Sequence, residues 1–258
     1  MKTVCKLNQC AGCKACLDIC KKDAISIVDS LSAMNASINE NLCVKCGACE
    51  KVCPNNSVLK MKRPQEWYQG WVDATRQTSS SGGVAAGLME SFIRNGGYVA
   101  ACLFKNGEFG FDITNDLNHA KKFAGSKYVK SNPQNIYKKV SEKIRAGNKV
   151  MFIGLPCQVA AVKNYIKKCD NLYTVDLICH GSPSPQILNK FLHENNVDIQ
   201  SISELKFRNK EGFGLQSGYK RISFDGELDL YTFAFLTSLD YTENCYTCRY
   251  TTLDRVSD

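Results

Sequence analysis

Two cysteine runs constrain this chain more than anything else in it. The first is CAGCKACLDIC, with Cys10, Cys13, Cys16 and Cys20. The second is CVKCGACEKVCP, with Cys43, Cys46, Cys49 and Cys53. Both have the spacing C-x2-C-x2-C-x3-C, an internal repeat and the pattern of a bacterial two-cluster ferredoxin. Three thiolates at intervals of three wrap a loop around three corners of a cubane cluster. The fourth lies farther along and reaches the other cluster. The spacing therefore assigns Cys10, Cys13, Cys16 and Cys53 to one 4Fe–4S cluster, and Cys43, Cys46, Cys49 and Cys20 to a second. Gly12 and Gly47 are placed to let the loop backbone approach the sulfides. The stretches KKDAISIVD and PNNSVLKMK that follow the runs alternate in polarity and predict short strands. Lys21 stands where the second run has Pro54.

These features make residues 1–62 an α+β two-cluster ferredoxin-like domain. The same stretch holds nine lysines against five acids, in a chain of net charge +8. Such a surface suits an acidic redox partner, or is a solvated lysine face with no specific partner. Neither an arginine-rich stripe nor interleaved aromatics point to nucleic acid. The fifteen cysteines come in clusters in a long chain without an apolar leader, which reads as metal binding rather than as a disulfide framework. No apolar run approaches the ~18 residues of a membrane span, and a cytoplasmic location is expected.

Residues 63–72, beginning RPQEWYQGW, read as a linker, and residues 73–258 as a second domain of α/β type with a mixed, partly parallel sheet. SSSGGVAAGLMESFIRNGG, residues 79–97, predicts one helix capped by Ser81 or a neighbour and stopped by Gly96 and Gly97. YVAACLF follows as a buried strand. Small residues ahead of a helix also leave backbone N–H groups free for a phosphate, although a simple cap explains them as well. KVMFIGLPCQVAAVKNYIKK and NLYTVDLICHGSPSPQILNKFLHENN are two strand–turn–helix units with Cys157, Cys179 and His180 at their turns. Chemistry just past strand C-termini is where open parallel sheets carry their sites. The stretch KFRNKEGFGLQSGYKRISFDGELDLYTF alternates like β-hairpins, and ENCYTCRY brings Cys245 and Cys248 as a C-x2-C.

Cys157, Cys179, Cys245 and Cys248 are four in number, as a third cluster needs. Spacing alone leaves other readings open: inert thiols, a zinc-binding C-x2-C, or a redox-active thiol at a helix N-terminus. Cys102, inside an apolar strand, reads as core. Cys5 and Cys169 have no evident partner.

SSGGVAAGL, GSKYVKSN, GLPCQVAAV, LICHGSPSP, KFRNKEGFG and CYTCRY, in that order, resemble the coenzyme F420 hydrogenase/dehydrogenase beta-subunit family. The resemblance runs from about residue 70 to the end, behind the kind of ferredoxin module often fused to such proteins. It implies an iron–sulfur flavoprotein oxidoreductase that passes electrons between a reduced coenzyme, F420-like or NAD(P)H, and a ferredoxin-type carrier or partner subunit. It implies a third 4Fe–4S cluster on Cys157, Cys179, Cys245 and Cys248. It also implies FAD cradled by Ser80, Ser81, Gly82, Gly83, Gly125, Ser126, Lys127 and Tyr128, with His180 and Arg208 near the flavin or anchoring loops. No catalytic residue is singled out. Because the family continues past the C-x2-C through a Gly-Asp-rich segment, the resemblance implies a chain incomplete at its C-terminus. The alternative is an electron-transfer module without catalysis, using its ferredoxin clusters alone. A flavin-free thiol reductase acting through Cys157 or Cys179 is a third option.

Overall fold

The repeat folds as two loop–helix units. The computed structural model describes every residue except 168, 209, 211, 219 and 223–226. Helices α1 (Ala15–Ile19) and α2 (Ala48–Val52) are equivalent five-residue helices packed on each other. Each starts from a residue in the left-handed region, Lys14 at φ 56° and Gly47 at φ 70°. Gly12, at φ +69°, answers a second demand: a Cβ there would stand 2.9 Å from the Met34 sulfur and 3.3 Å from Lys130.

Strand β1 (Ile25–Asp29) forms where the alternation predicts it. Its partner is β2 (Met34–Ile38), antiparallel from Ile25↔Ile38 to Asp29↔Met34. The strand expected after Cys53 does not form; Lys62 makes only an isolated bridge to Arg255. Both edges of β2 are already taken. β1 occupies one, and the chain start occupies the other through Val4 N–H to Ala36 O (2.9 Å) and Ile38 N–H to Lys2 O (2.8 Å). The segment after Cys53 thus finds neither edge of β2 free.

Past the exposed Trp67, Tyr68 and Trp71 come α3 (Asp73–Arg76) and α4 (Val84–Arg94). The helix is shorter than the expected 79–97, and its N-cap is Gly83, not a serine. Gly83 sits at φ +78° with Thr75 Oγ1 only 2.7 Å from where a Cβ would be, so glycine is required. The serines are used elsewhere. Ser79 Oγ bonds Thr75 O (2.8 Å), and Ser80 Oγ accepts from Ser126 N–H (2.9 Å). At the other end Gly96 and Gly97 stop the helix as expected, donating to Ile93 O and Phe92 O.

The main sheet contains β3 (Tyr98–Lys105), β4 (Glu108–Thr114), β5 (Val150–Gly154) and β6 (Leu172–Asp176), in the order β4-β3-β5-β6. β3 and β4 form an antiparallel hairpin; β3, β5 and β6 run parallel. Helices α5 (Leu117–Ala120), α6 (Ile136–Arg145), α7 (Pro156–Ile166) and α8 (Pro185–Glu194) connect and follow these strands. A smaller antiparallel sheet of β7 (Leu205–Arg208), β8 (Phe213–Ser217) and β9 (Lys220–Arg221) follows, then α9 (Leu230–Leu236) and α10 (Glu243–Tyr246). The expected hairpins form in β7–β9, their parts at 209, 211, 219 and 223–226 lying outside the described residues. The end of that stretch, from Leu230, is instead the helix α9, because Asp229 caps it by accepting from Thr232 N–H.

β5 is buried along its whole length. Phe152 at its centre stacks on Phe111 (5.5 Å between ring centroids) and faces Tyr137 (6.2 Å). The same apolar core contains Val4, Ala36 and Val52 from the front and Val150, Phe152 and Val159 from the sheet and α7. Polar contacts reinforce this join. Tyr137 Oη donates to Cys13 O (2.7 Å), Asn135 N–H to Asp18 Oδ1 (2.7 Å), and Asn164 Nδ2 to Ser57 O (2.7 Å). The ferredoxin-like part is therefore seated on α6 and α7, sharing one core with the main sheet.

Candidate metal centres and the adjoining cleft

The first-loop thiols Cys10, Cys13 and Cys16 meet Cys53, from the end of α2, around one small cavity. All four are buried. Burial and the neighbouring thiols push the Cys13 and Cys16 thiols well above the usual cysteine range. Cys10 and Cys53 move the other way, held down by hydrogen bonds from the Cys5 thiol. The distant Cys53 thus joins the first loop, the crossing that the spacing assigns. The second group is more open. Burial raises the Cys49 thiol, Cys46 is exposed, and Cys20 ends α1 where it packs on α2.

A third group gathers from three separate places. Cys157 is the second residue of α7, after Pro156, and Gln158 fixes that turn by accepting from Leu155 N–H (2.9 Å). Cys179 lies three residues beyond β6, Cys245 in α10 and Cys248 just after it. All four line a cavity of about 500 Å³. Burial raises the Cys157 and Cys179 thiols, the latter to about 11, and the other cysteines of the group add to it. Lys130 opposes this rise. Its side chain is buried, with Nζ 3.7 Å from Cys245 Sγ and 3.4 Å from Ala11 O. Sequence reasoning missed it: GSKYVKSN offers two lysines, and Lys127 drew the attention. The cavity wall includes Ala11 and Gly12, the link between Cys10 and Cys13, so the first and third groups are adjacent.

Among the described residues, no three Cys, His, Asp or Glu side chains converge tightly enough for a single metal ion. A cubane asks for a different arrangement, one thiolate at each of four separated corners. The four-thiol sets fit that donor chemistry, and Lys130 adds a cation where thiolate charge would collect.

A larger cleft, about 1370 Å³, opens on the other side of the same loop. Ser79, Ser80, Gly125, Ser126 and Lys127 line it, facing Lys206, Arg208 and Lys210. The Ser80–Ser126 hydrogen bond joins two of the segments expected to hold a flavin. The remaining expected residues go elsewhere. Ser81 offers its carbonyl to Lys210 Nζ (3.2 Å), and Gly82 and Gly83 build the start of α4. Tyr128 stacks on Phe235 at 4.4 Å and packs against the apolar cluster around Phe207 and Leu215. His180 lines the cysteine cavity, its Nδ1 bonded to the Tyr241 hydroxyl. Lys127 Nζ is tied to Phe123 O (2.6 Å) and Ala124 O (3.0 Å). Residues 124–131 therefore border the basic cleft at one end and the third cysteine group at the other.

Residues 9–57 match the family model of the 4Fe-4S dicluster domain, which spans all eight cysteines of the repeat. Residues 147–258 match the model for the C terminus of the coenzyme F420 hydrogenase/dehydrogenase beta subunit, which spans Cys157, Cys179, Cys245 and Cys248. The two matches fall on separate stretches of the chain. It is similar to an F(420)H(2) dehydrogenase subunit of Methanosarcina mazei. Identity is 21% over 219 residues, covering 77% of this chain and 61% of that protein. The dicluster part is 36% identical over 58 residues to a subunit of an ion-translocating oxidoreductase complex of Methanosarcina acetivorans, covering 22% of this chain and 20% of that one. Among solved structures, the F420-reducing [NiFe] hydrogenase complex of Methanosarcina barkeri aligns with TM-score 0.46 at 21% identity, over 58% of this chain and 55% of that one. The chain thus spans about three fifths of the dehydrogenase subunit it matches. No helix among the described residues is long and apolar enough to cross a membrane.

Proposed function

We propose that this chain is an iron–sulfur flavoprotein oxidoreductase subunit, moving electrons between a reduced coenzyme, F420-like or NAD(P)H, and a ferredoxin-type carrier or partner subunit. The observation that carries this reading is the continuity of its three sites. One loop, residues 124–131, borders both the basic cleft and the third cysteine group, and that group shares the Ala11–Gly12 wall with the first. In this reading Cys10, Cys13, Cys16 and Cys53 hold one 4Fe–4S cluster, and Cys20, Cys43, Cys46 and Cys49 a second. Cys157, Cys179, Cys245 and Cys248 hold a third. FAD occupies the basic cleft. The clusters supply one-electron carriers, and the flavin supplies the exchange between hydride and single electrons.

The chain's own residues have definite tasks. Lys206, Arg208 and Lys210 give the cleft the positive wall that a pyrophosphate needs. The Ser80–Ser126 hydrogen bond holds the two small-residue segments together at its mouth. Lys130 offsets thiolate charge at the third group. The shared core keeps water from the thiols of the first group. The partial-length match to the dehydrogenase subunit supports a redox role for the domain; donor and acceptor are proposals. A second reading, a module that transfers electrons without flavin, draws on Lys127, whose amine is tied to two carbonyls rather than free for a phosphate.

Purification without oxygen, acid release of bound flavin and its chromatographic identification separate the two. FAD near one per chain is the expected result and justifies screening F420, NADH and NADPH as donors. A flavin-free protein with full iron supports the second reading.

A further inference from the structure

The first cavity is lined by five thiols, not four: Cys5 joins Cys10, Cys13, Cys16 and Cys53. Cys5 lies outside the matched dicluster segment, residues 9–57. It is 7% exposed, and it lines that cavity beside Cys10 and Cys53. Its position is built. Val4 N–H bonds Ala36 O at the edge of β2 (2.9 Å), Thr3 Oγ1 bonds Cys5 O (2.6 Å), and Asn56 Nδ2 bonds Val4 O (2.7 Å). Asn55 Nδ2 approaches Cys5 Sγ at 3.9 Å. A cysteine serving only as core would face hydrocarbon. This one faces two thiols and an amide, across the cavity that the first cluster would fill.

We propose that Cys5 is a reserve ligand of the first 4Fe–4S cluster, placed to replace Cys10 or Cys53. The inference rests on the cluster reading given above. The exchange is redox-neutral. One iron–sulfur bond to Cys10 or Cys53 breaks as one to Cys5 forms. The Cys5 proton would go to the sulfur released, which lines the same cavity. In a chain lacking the original ligand, Cys5 enters as thiolate during assembly and its proton goes to solvent. The reserve extends to Cys10 and Cys53, the two of the four whose charge bears most on the Cys5 thiol.

The test compares the wild-type chain with Cys10→Ala, Cys53→Ala, Cys13→Ala and the double variant Cys5→Ala/Cys10→Ala, all made without oxygen. Iron and acid-labile sulfide are counted per chain, and the dithionite-reduced proteins are examined by electron paramagnetic resonance. Cys10→Ala and Cys53→Ala should keep the wild-type iron count, with altered g-values for one cluster. Cys13→Ala and the double variant should each lose about four irons, the content of one cubane. The second-cluster signal, present throughout, reports that the fold is intact. The proposal is overturned if Cys10→Ala and Cys53→Ala already lose as much iron as the double variant, or if the double variant keeps it all. A wild-type chain without a first cluster would overturn the cluster reading itself, and this inference with it.

Discussion

The front and back cysteine groups solve the same problem in opposite ways. In the front, three of the four thiols that the spacing assigns to the first cluster come from seven consecutive residues, Cys10 to Cys16, and only Cys53 arrives from a distance. In the back, Cys157, Cys179 and the Cys245–Cys248 pair come from three segments that the sheet must first assemble. A local loop carries most of its own geometry. An assembled site borrows its geometry from the strands beneath it, so it should fail when they shift. A ligand set can thus be encoded as spacing or as topology, and topology is the more fragile code.

The largest effect should come from the back group itself. Cys157→Ser is expected to remove roughly one third of the bound iron, one cubane in three, while the front signals persist; an unchanged iron count would remove Cys157 from the ligand set. Next is the tether between the end of β6 and the tail. Asp176 Oδ1 accepts from Arg255 Nη2 at 2.8 Å and Nε at 2.9 Å, with side chains 3% and 18% exposed. Breaking such a pair leaves a buried charge unmatched, at a cost of about 3–5 kcal/mol. Asp176→Ala should therefore lower the unfolding midpoint and release back-group iron before front-group iron. Simultaneous loss of both would show that the shared core, not the local loop, holds the front together.

Lys130 probes the boundary between the two groups. Its ammonium favours the more negative, reduced state of whatever Cys245 helps to hold. A unit charge at about 4 Å is worth up to about 4 kcal/mol at an effective dielectric of 20, and 100 mV corresponds to about 2.3 kcal/mol per charge. Lys130→Met should thus lower the third-site midpoint potential by on the order of 100 mV and the second-cluster potential far less. Equal shifts at both would argue against its placement. Asp240 offers a smaller, pH-dependent effect. Burial raises its carboxyl to about 6 from 3.8, and its oxygens find no partner beyond its own backbone. Between those values the native state binds the extra proton, so this group's contribution to stability falls as pH rises through about 6. Asp240→Asn should stabilise the chain at pH 8 by about 1 kcal/mol, after allowance for partial exposure. That gain should vanish towards pH 4; a constant gain would exclude titration of Asp240 as its source. At the bottom of the scale, Glu90→Gln breaks an exposed i,i+4 pair with Arg94 (2.6 Å). It should change stability by less than about 0.5 kcal/mol in thermal unfolding.

Much of the fold was legible locally. The glycine stop at Gly96–Gly97, the β5–α7 and β6–α8 units and the mixed, partly parallel sheet follow from periodicity and breakers. Two local expectations failed for reasons that are not local. The segment after Cys53 formed no strand, and β2 already pairs with β1 on one edge and the chain start on the other. The serine cap gave way to Gly83, because α3 packs too close for a Cβ.

The dicluster motif is written in the sequence alone, because three ligands within seven residues need nothing but a loop. So are the β5–α7 and β6–α8 units, since they rest on short-range periodicity. Other features exist only once the chain has folded: Cys5 beside Cys10 and Cys53, Lys130 facing Cys245, and one loop bordering both cavities. Those contacts join residues more than a hundred positions apart in the case of Lys130 and Cys245. Spacing along a chain carries no record of which distant segments a sheet and a shared core will bring together.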